Sequence, residues 1–294
     1  MTATPNPTGF VIEPFIIYLD EESIKQFGCY LEEQECSRAT IAKYLRDARR
    51  LAEFCRGAPA DKAQLIAFKQ HLQKAGYAPS SVNSMLAAVN CYLKYAGHPE
   101  WKLRFLKIRR GTFANRSKEL SQDEYERMVS KALEHGDQRL ALLLQTICAT
   151  GIRVSELQAI TAESLDSGRA ELRSKGKIRM ILIPRKLCQM LRRYCREQGI
   201  TDGCVFVTKN GQPLDRSNIW KMMKRTAEAA KVKTKKVYPH NLRHLFAQTY
   251  YQKYKDIVRL ADILGHSNVD TTRIYTAKNG QEQQKQIERL SLLL

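Results

Sequence analysis

The sequence predicts a mainly α-helical protein with one small β-sheet, arranged as a small helical domain followed by a larger α+β domain. Three observations lead there. Apolar residues recur at helical spacing through most of the chain. Only residues 169–183 alternate and are rich in β-formers, around Ser174-Lys175-Gly176-Lys177. Residues 107–118 are basic and polar without apolar periodicity, which reads as a linker.

Residues 1–19 read as an N-terminal arm, in which Gly9 to Leu19 is apolar but interrupted by Glu13 and Pro14, an extended arm or a short packed segment. Residues 20–106 carry four helices. Ile24 to Glu33 forms the first. The second follows Ser37-Arg38-Ala39-Thr40, with Ile41, Tyr44, Leu45, Ala48, Leu51, Ala52 and Phe54 at helical period. A third runs from Asp61 to Lys74 and is capped near Gly76, and a fourth opens at Pro79-Ser80-Ser81 and stops at Gly97. Beyond the linker, residues 119–294 form the second domain. Ser121-Gln122-Asp123-Glu124 is a capping-box pattern. An apolar helix from Leu140 to Ala149 follows, then Thr150-Gly151 and another helix from Arg153. After the β-rich stretch the pattern is helical from Pro184 onward, apart from Cys204 to Pro213 with its Asn210-Gly211 turn. The end is a polar helix, Gln281 to Arg289, followed by Leu290, Leu292, Leu293 and Leu294.

The chain has 294 residues, 43% hydrophobic and 27% charged, which is the composition of a globular protein. Its net charge is +19, with +5 in residues 1–110 and +14 in residues 111–294. Such an excess suits a polyanion, most commonly nucleic acid. No apolar run is long enough to span a membrane and no signal peptide opens the chain. The eight cysteines are scattered without a C-x-x-C pair, and most fall on apolar helix faces. Buried free thiols, a reducing cytoplasmic setting and no metal site follow. No phosphate-binding G-x-x-x-x-G-K-[ST] loop and no carboxylate cluster for magnesium occurs, so no cofactor is expected.

Four local clusters in the second domain carry chemistry. They are Ala149-Thr150-Gly151-Ile152-Arg153-Val154-Ser155-Glu156-Leu157; Ser174-Lys175-Gly176-Lys177-Ile178-Arg179; Pro239-His240-Asn241-Leu242-Arg243-His244; and Leu264-Gly265-His266-Ser267-Asn268, with Tyr275 nine residues after His266. Singly each is ordinary. Arg153 and Glu156 make a helix-surface pair, Lys175 sits in a turn, and His240 and Arg243 share a helix face, as many idle pairs do. Gly265-His266 reads as a helix end, and a lone tyrosine is usually a packing residue.

Together and in this order, these clusters resemble the tyrosine recombinase family of phage integrases and Xer proteins, over residues 22 to about 280. That family carries T-G-x-R-x-x-E-L, a hairpin lysine, H-x-x-R, L-G-H and a C-terminal tyrosine. The resemblance implies a helical SAM-like core-binding domain followed by a catalytic domain. It also implies six catalytic residues: Arg153, Lys175, His240, Arg243, His266 and Tyr275. Phosphodiester cleavage builds negative charge on the non-bridging oxygens, and the guanidiniums of Arg153 and Arg243 suit those oxygens better than ammonium groups do. Tyr275 would attack phosphorus, but its ordinary pKa of about 10 calls for a base. By resemblance that base is His240, His266 bonds a phosphate oxygen, and Lys175 protonates the leaving 5′ oxygen, with Lys177 the other candidate. Glu156 would brace the active-site helix rather than react. The product is a 3′-phosphotyrosine that a 5′ hydroxyl can reverse without nucleotide hydrolysis.

Double-stranded DNA is the expected partner, at inverted-repeat core sites. Arg46, Arg49, Arg50, Lys94, Arg109, Arg110, Lys177, Arg179, Lys221, Lys224 and Arg225 are candidate phosphate contacts, with the run Lys231 to Lys236 beside them. The apolar C-terminal tip needs a pocket, its own or a neighbour's. By resemblance it docks into the neighbouring subunit of a tetramer on DNA. About 20 residues precede the first helix, few for the extra arm-binding domain of some integrases, which leans toward simple core sites. A type IB topoisomerase shares the chemistry, but the helical first domain and apolar tip favour an assembling recombinase. A DNA-binding protein that has lost activity is disfavoured by the complete set of six.

Overall fold

A computed structural model describes residues 16–108, 118–174, 177–266, 268–272 and 275, without the side chains of Arg173, Ser174, Lys177 and Asp270. Most of the arm and of the linker, with Arg109 and Arg110, lie outside the described residues. So do Lys175, the Lys177 side chain, and the C-terminal helix with its leucine tip. The chain divides into two compact units, Met1–Arg110 and Gly111–Leu294.

The first unit holds α1 (Glu21–Glu33), α2 (Arg38–Phe54), α3 (Lys62–Lys74) and α4 (Pro79–Tyr95). Their starts follow from capping chemistry. Asp20 accepts from the Ser23 amide, Ser37 from Thr40, and Asp61 and Gln64 form a reciprocal box, while α4 has Pro79 in its first turn. The Asp20 cap is why α1 begins three residues before the apolar pattern at Ile24. Phe27, Leu31, Leu51, Leu65, Phe68, Leu86 and Tyr92 fill the core, and the Phe27 and Tyr92 rings meet edge to face at 5.1 Å. Of the two readings of Gly9–Leu19, the described end is a packed segment. Ile17 and Leu19 are buried, and Ile17 bridges Ala60.

Past α4 the chain returns along that helix. Asn83 and Asn90, seven residues apart and so on one face, each exchange two hydrogen bonds with a passing backbone. Asn83 pairs with Leu106 at 2.7 and 2.9 Å and Asn90 with Leu103 at 2.7 and 3.0 Å.

The second unit contains α5 (Gln122–Glu134), α6 (Gln138–Thr150), α7 (Ala162–Ser167), β1 (Arg169–Ser174), β2 (Lys177–Leu182), α8 (Arg185–Gln198), α9 (Arg216–Ala229), α10 (Pro239–Tyr254) and α11 (Ile257–Leu264). The capping box at Ser121 and Glu124 is formed. α6 is apolar nearly all round and forms the centre of the core with Leu140, Leu143, Leu144 and Ile147. The helix expected from Arg153 is instead a 3-10 segment, Val154–Ala159. Apolar positions three apart (Val154, Leu157 and Ile160) match that tighter winding and put Leu157 and Ile160 in the core.

The two strands pair antiparallel, with Ser174 opposite Lys177 and Leu172 opposite Arg179. The pattern of β2 is inverted relative to a simple amphipathic strand, whereas β1 turns Ala170 and Leu172 to the core and Arg169 and Glu171 outward. Ile178, Met180 and Leu182 are exposed, at 67%, 49% and 69%, whereas Arg179 and Ile181 point inward. The thiols also depart from expectation. Cys55, Cys188 and Cys195 are buried, four others are half-buried, and Cys29 is exposed because its position falls on the solvent face of α1. No helix among the described residues is long and apolar enough to cross a membrane.

Candidate active site

Two left-handed glycine turns and one helix start bring the motifs together. α6 ends at Gly151, which adopts the left-handed conformation at φ +65°. A Cβ there would lie 2.4 Å from the Phe246 ring, so only glycine fits. α10 starts at Pro239, which places His240, Arg243 and His244 on neighbouring positions of its first turns. α11 ends at Leu264, and Gly265, again left-handed, turns the chain so that His266 enters the site.

Arg243 is the hub. It is 1% exposed, and its guanidinium donates to Gly151 O at 2.6 Å and Leu264 O at 2.7 Å. It also lies 3.1 Å from His266 Nε2. A guanidinium only donates, so that nitrogen accepts and the ring proton sits on Nδ1, which donates to Thr272 Oγ1 at 2.8 Å. The Nε–H of Arg243 is buried and unpaired.

Tyr275 is held by its backbone amide on Thr272 O at 3.0 Å and is 5% exposed. Its ring meets His244 edge to face at 4.7 Å and lies nearly parallel to His266 at 6.3 Å. His244 in turn meets His240 at 5.0 Å. Residues from positions 151 to 275 thus converge on one arginine and one tyrosine.

The electrostatics follow from burial among cations. Burial, Arg243 and Arg153 hold His266 down to about 4, and burial, His240 and Arg243 do the same to His244. His240, on the exposed rim, is lowered by desolvation, Arg243, Arg153 and Arg216. All three rings are therefore neutral at pH 7. Burial raises the Tyr275 phenol, opposed by Arg243 and Arg153. Burial next to Arg153 lowers Arg243 to about 10, still protonated at neutral pH.

Arg153 is half-exposed at the site's edge, with its Nη1 2.7 Å from Glu156 Oε1 and its amide 2.8 Å from Glu156 Oε2. The same carboxylate takes Arg179 Nη2 at 2.7 Å. Arg179, a candidate phosphate contact by sequence, is instead turned inward. Its charge is neutralised by Glu156, its Nη1 donates to Ile263 O at 3.1 Å, and its stem lies under Gly265.

The other candidate contacts differ in availability. Arg46, Lys94, Lys221 and Arg225 are exposed. Arg49 pairs with Glu21 at 3.3 Å, and Arg50 is half-buried against Tyr77 and Met85. Lys224 donates to Thr234 O, and Lys236 of the basic run pairs with Glu124 at 2.9 Å. Among the described residues no group of three or more His, Cys, Asp or Glu is arranged to hold a metal ion.

Two contributors escaped the sequence reading, and a third, Arg179, was given a different role there. Thr272 fixes the His266 tautomer. His244 packs against the tyrosine ring, for which its spacing of four from His240 was the available signal. Arg179 braces two motifs, and nothing local in the sequence marks that.

Residues 118–282 match the Phage integrase family and residues 24–99 match the Phage integrase, N-terminal SAM-like domain. The chain is 30% identical over 284 residues to "Tyrosine recombinase XerA" of Thermococcus kodakarensis, covering 92% of this chain and 97% of that protein. Among solved structures it resembles XerA recombinase, at TM-score 0.51 and 25% identity over 93% of this chain and 99% of that one. It also resembles a lambda integrase (75-356) dimer bound to a COC′ core site, at TM-score 0.72 and 16% identity over 91% and 97%. The second of these shows likeness of fold alone.

Proposed function

The chain belongs to the phage integrase family of tyrosine recombinases, and on that footing we propose that Tyr275 cuts DNA at specific sites by forming a 3′-phosphotyrosine. The observation that carries this reading is the buried tyrosine set beside a buried arginine whose Nε–H lacks a partner. Such a donor costs about 1–3 kcal/mol when left unmade, and a phosphate oxygen arriving there relieves it.

In the proposed step the Tyr275 oxygen bonds to phosphorus and the bond from phosphorus to the 5′ oxygen breaks. Arg243 and Arg153 take the charge that develops on the non-bridging oxygens. His240 is neutral at pH 7 and so can accept the phenol proton. Lys175 gives a proton to the departing 5′ oxygen. His266 serves first as a prop for Arg243. Its expected bond to phosphate requires both that Nε2 exchange its present partner and that the ring proton move from Nδ1 to Nε2. A 5′ hydroxyl from a second strand reverses the reaction, and two such exchanges resolve a Holliday junction.

The full-length similarity to a Xer relative supports resolution of dimeric replicons as the setting. Integration or excision of a mobile element uses the same chemistry. The assembly is a tetramer on paired inverted-repeat sites in the cytoplasm, joined through the C-terminal segment. Exposed Arg46, Lys94, Lys221 and Arg225 supply phosphate contacts, with Arg109 and Arg110 of the linker. Nicked suicide substrates from around the gene test the reading. Wild type should give a slow-migrating covalent adduct on a denaturing gel without added metal or ATP, and Tyr275→Phe should give none. Equal adduct from both would remove Tyr275 as the nucleophile.

A further inference from the structure

Arg179 touches neither Tyr275 nor Arg243 in the hydrogen-bond network described above, and it is not placed to meet solvent: its side chain is 16% exposed. Yet it joins three parts of the site. Through Nη2 it holds one oxygen of Glu156, whose carboxylate also fixes both the backbone and the guanidinium of Arg153. Through Nη1 it holds Ile263 O at the end of α11. Arg243 takes Leu264 O, the next carbonyl along, so two guanidiniums cap one helix terminus where the helix dipole is negative. The stem of Arg179 also lies beneath Gly265, where an added Cβ would come within 2.6 Å of its Cδ. That glycine starts the turn that delivers His266.

We propose that Arg179 is a positioning residue for cleavage, holding Arg153 through Glu156 and the His266 turn through Ile263, rather than a contact to DNA. This rests on the cleavage reading above. Arginine is required because a planar fork can bond a carboxylate and a carbonyl in different directions at once, while an ammonium on a shorter reach cannot hold both in place. Misplacing charge-stabilising groups by about 1 Å costs on the order of 10²-fold in rate. The loss should concern the charged non-bridging oxygens and not the affinity for DNA.

The test compares wild type, Arg179→Met and Arg179→Lys on pre-bound suicide substrates carrying either a normal scissile phosphodiester or an uncharged methylphosphonate. Methionine keeps an apolar stem under Gly265, and lysine keeps the ion pair with Glu156. Arg179→Met should cleave the phosphodiester roughly 10²-fold more slowly, with DNA affinity and its salt dependence unchanged. Its defect should shrink to below about tenfold on the methylphosphonate, where less charge needs stabilising. Arg179→Lys should fall between Met and wild type. Weaker binding with a salt slope reduced by about one would make Arg179 a phosphate contact and overturn the proposal. So would an equal defect on both substrates, which would mark a general support of the fold, or no defect at all. Absence of adduct from wild type would defeat the cleavage reading itself and this proposal with it.

Discussion

Replacing Gly151 by alanine separates backbone strain from packing at the centre of the site. An alanine at φ +65° pays about 1–2 kcal/mol for the left-handed conformation. Its methyl would also sit 2.4 and 2.7 Å from two carbons of Phe246 and 3.1 Å from Leu264. Overpacking of that kind costs about 1–3 kcal/mol more. Gly199, at φ +66° with nothing within 4 Å of an added Cβ, supplies the strain-only control. Gly151→Ala should therefore destabilise the second unit by roughly 1–3 kcal/mol more than Gly199→Ala. The assay is urea unfolding followed by Trp220 fluorescence in a Trp101→Phe background, so that only the second unit reports. The midpoint should fall at unchanged slope. Cleavage should drop as well, because the Gly151 carbonyl that moves is one of Arg243's two backbone anchors. Equal destabilisation by the two substitutions would refute the packing argument.

Other perturbations follow from the same contacts. Arg243→Lys leaves the Gly151 and Leu264 carbonyls competing for one ammonium. It should lose about 1–3 kcal/mol of stability and 10²- to about 10³-fold in cleavage rate, measured by urea unfolding and single-turnover kinetics. His244 and His266 have folded pKa values of about 4, below an unfolded value of about 6.5. Between those limits the unfolded chain binds protons that the native one excludes. Stability is thus complete above about pH 6.5 and drains away toward pH 4. His240 shifts in the same direction. A His244→Asn/His266→Asn double variant should show a flatter dependence of the urea midpoint on pH, and an unchanged dependence would contradict the assignment. Asn90→Ala removes both bonds to Leu103, so the Leu103 amide should exchange faster while Leu106, held by Asn83, keeps its protection.

Helix boundaries were legible wherever capping chemistry was local, as at Ser37, Asp61, Pro79 and Ser121. The order of the site's motifs was legible because each is a short contiguous pattern. Arg179 was not. Its strand places apolar residues outward and the arginine inward, the reverse of what alternation leads one to expect, and the carboxylate that makes this tolerable lies 23 positions away. The segment after Arg153 misled for a related reason, since spacings of three and four overlap in so short a stretch and the difference emerges only when Leu157 and Ile160 find the core. The His266 tautomer depended on Arg243 and Thr272 together, a three-body relation that no single motif encodes.

The paired asparagines of α4 act as a ruler for the chain that follows. They read main-chain atoms of residues 103 and 106, while the side chains there serve the core, Leu103 buried in it and Leu106 packed against it. An insertion or deletion of one residue between positions 83 and 90 would swing one amide about 100° around the helix and release one of the two clasps. The point at which the chain leaves its first domain is therefore metered by the pitch of a helix, not by the composition of the tether.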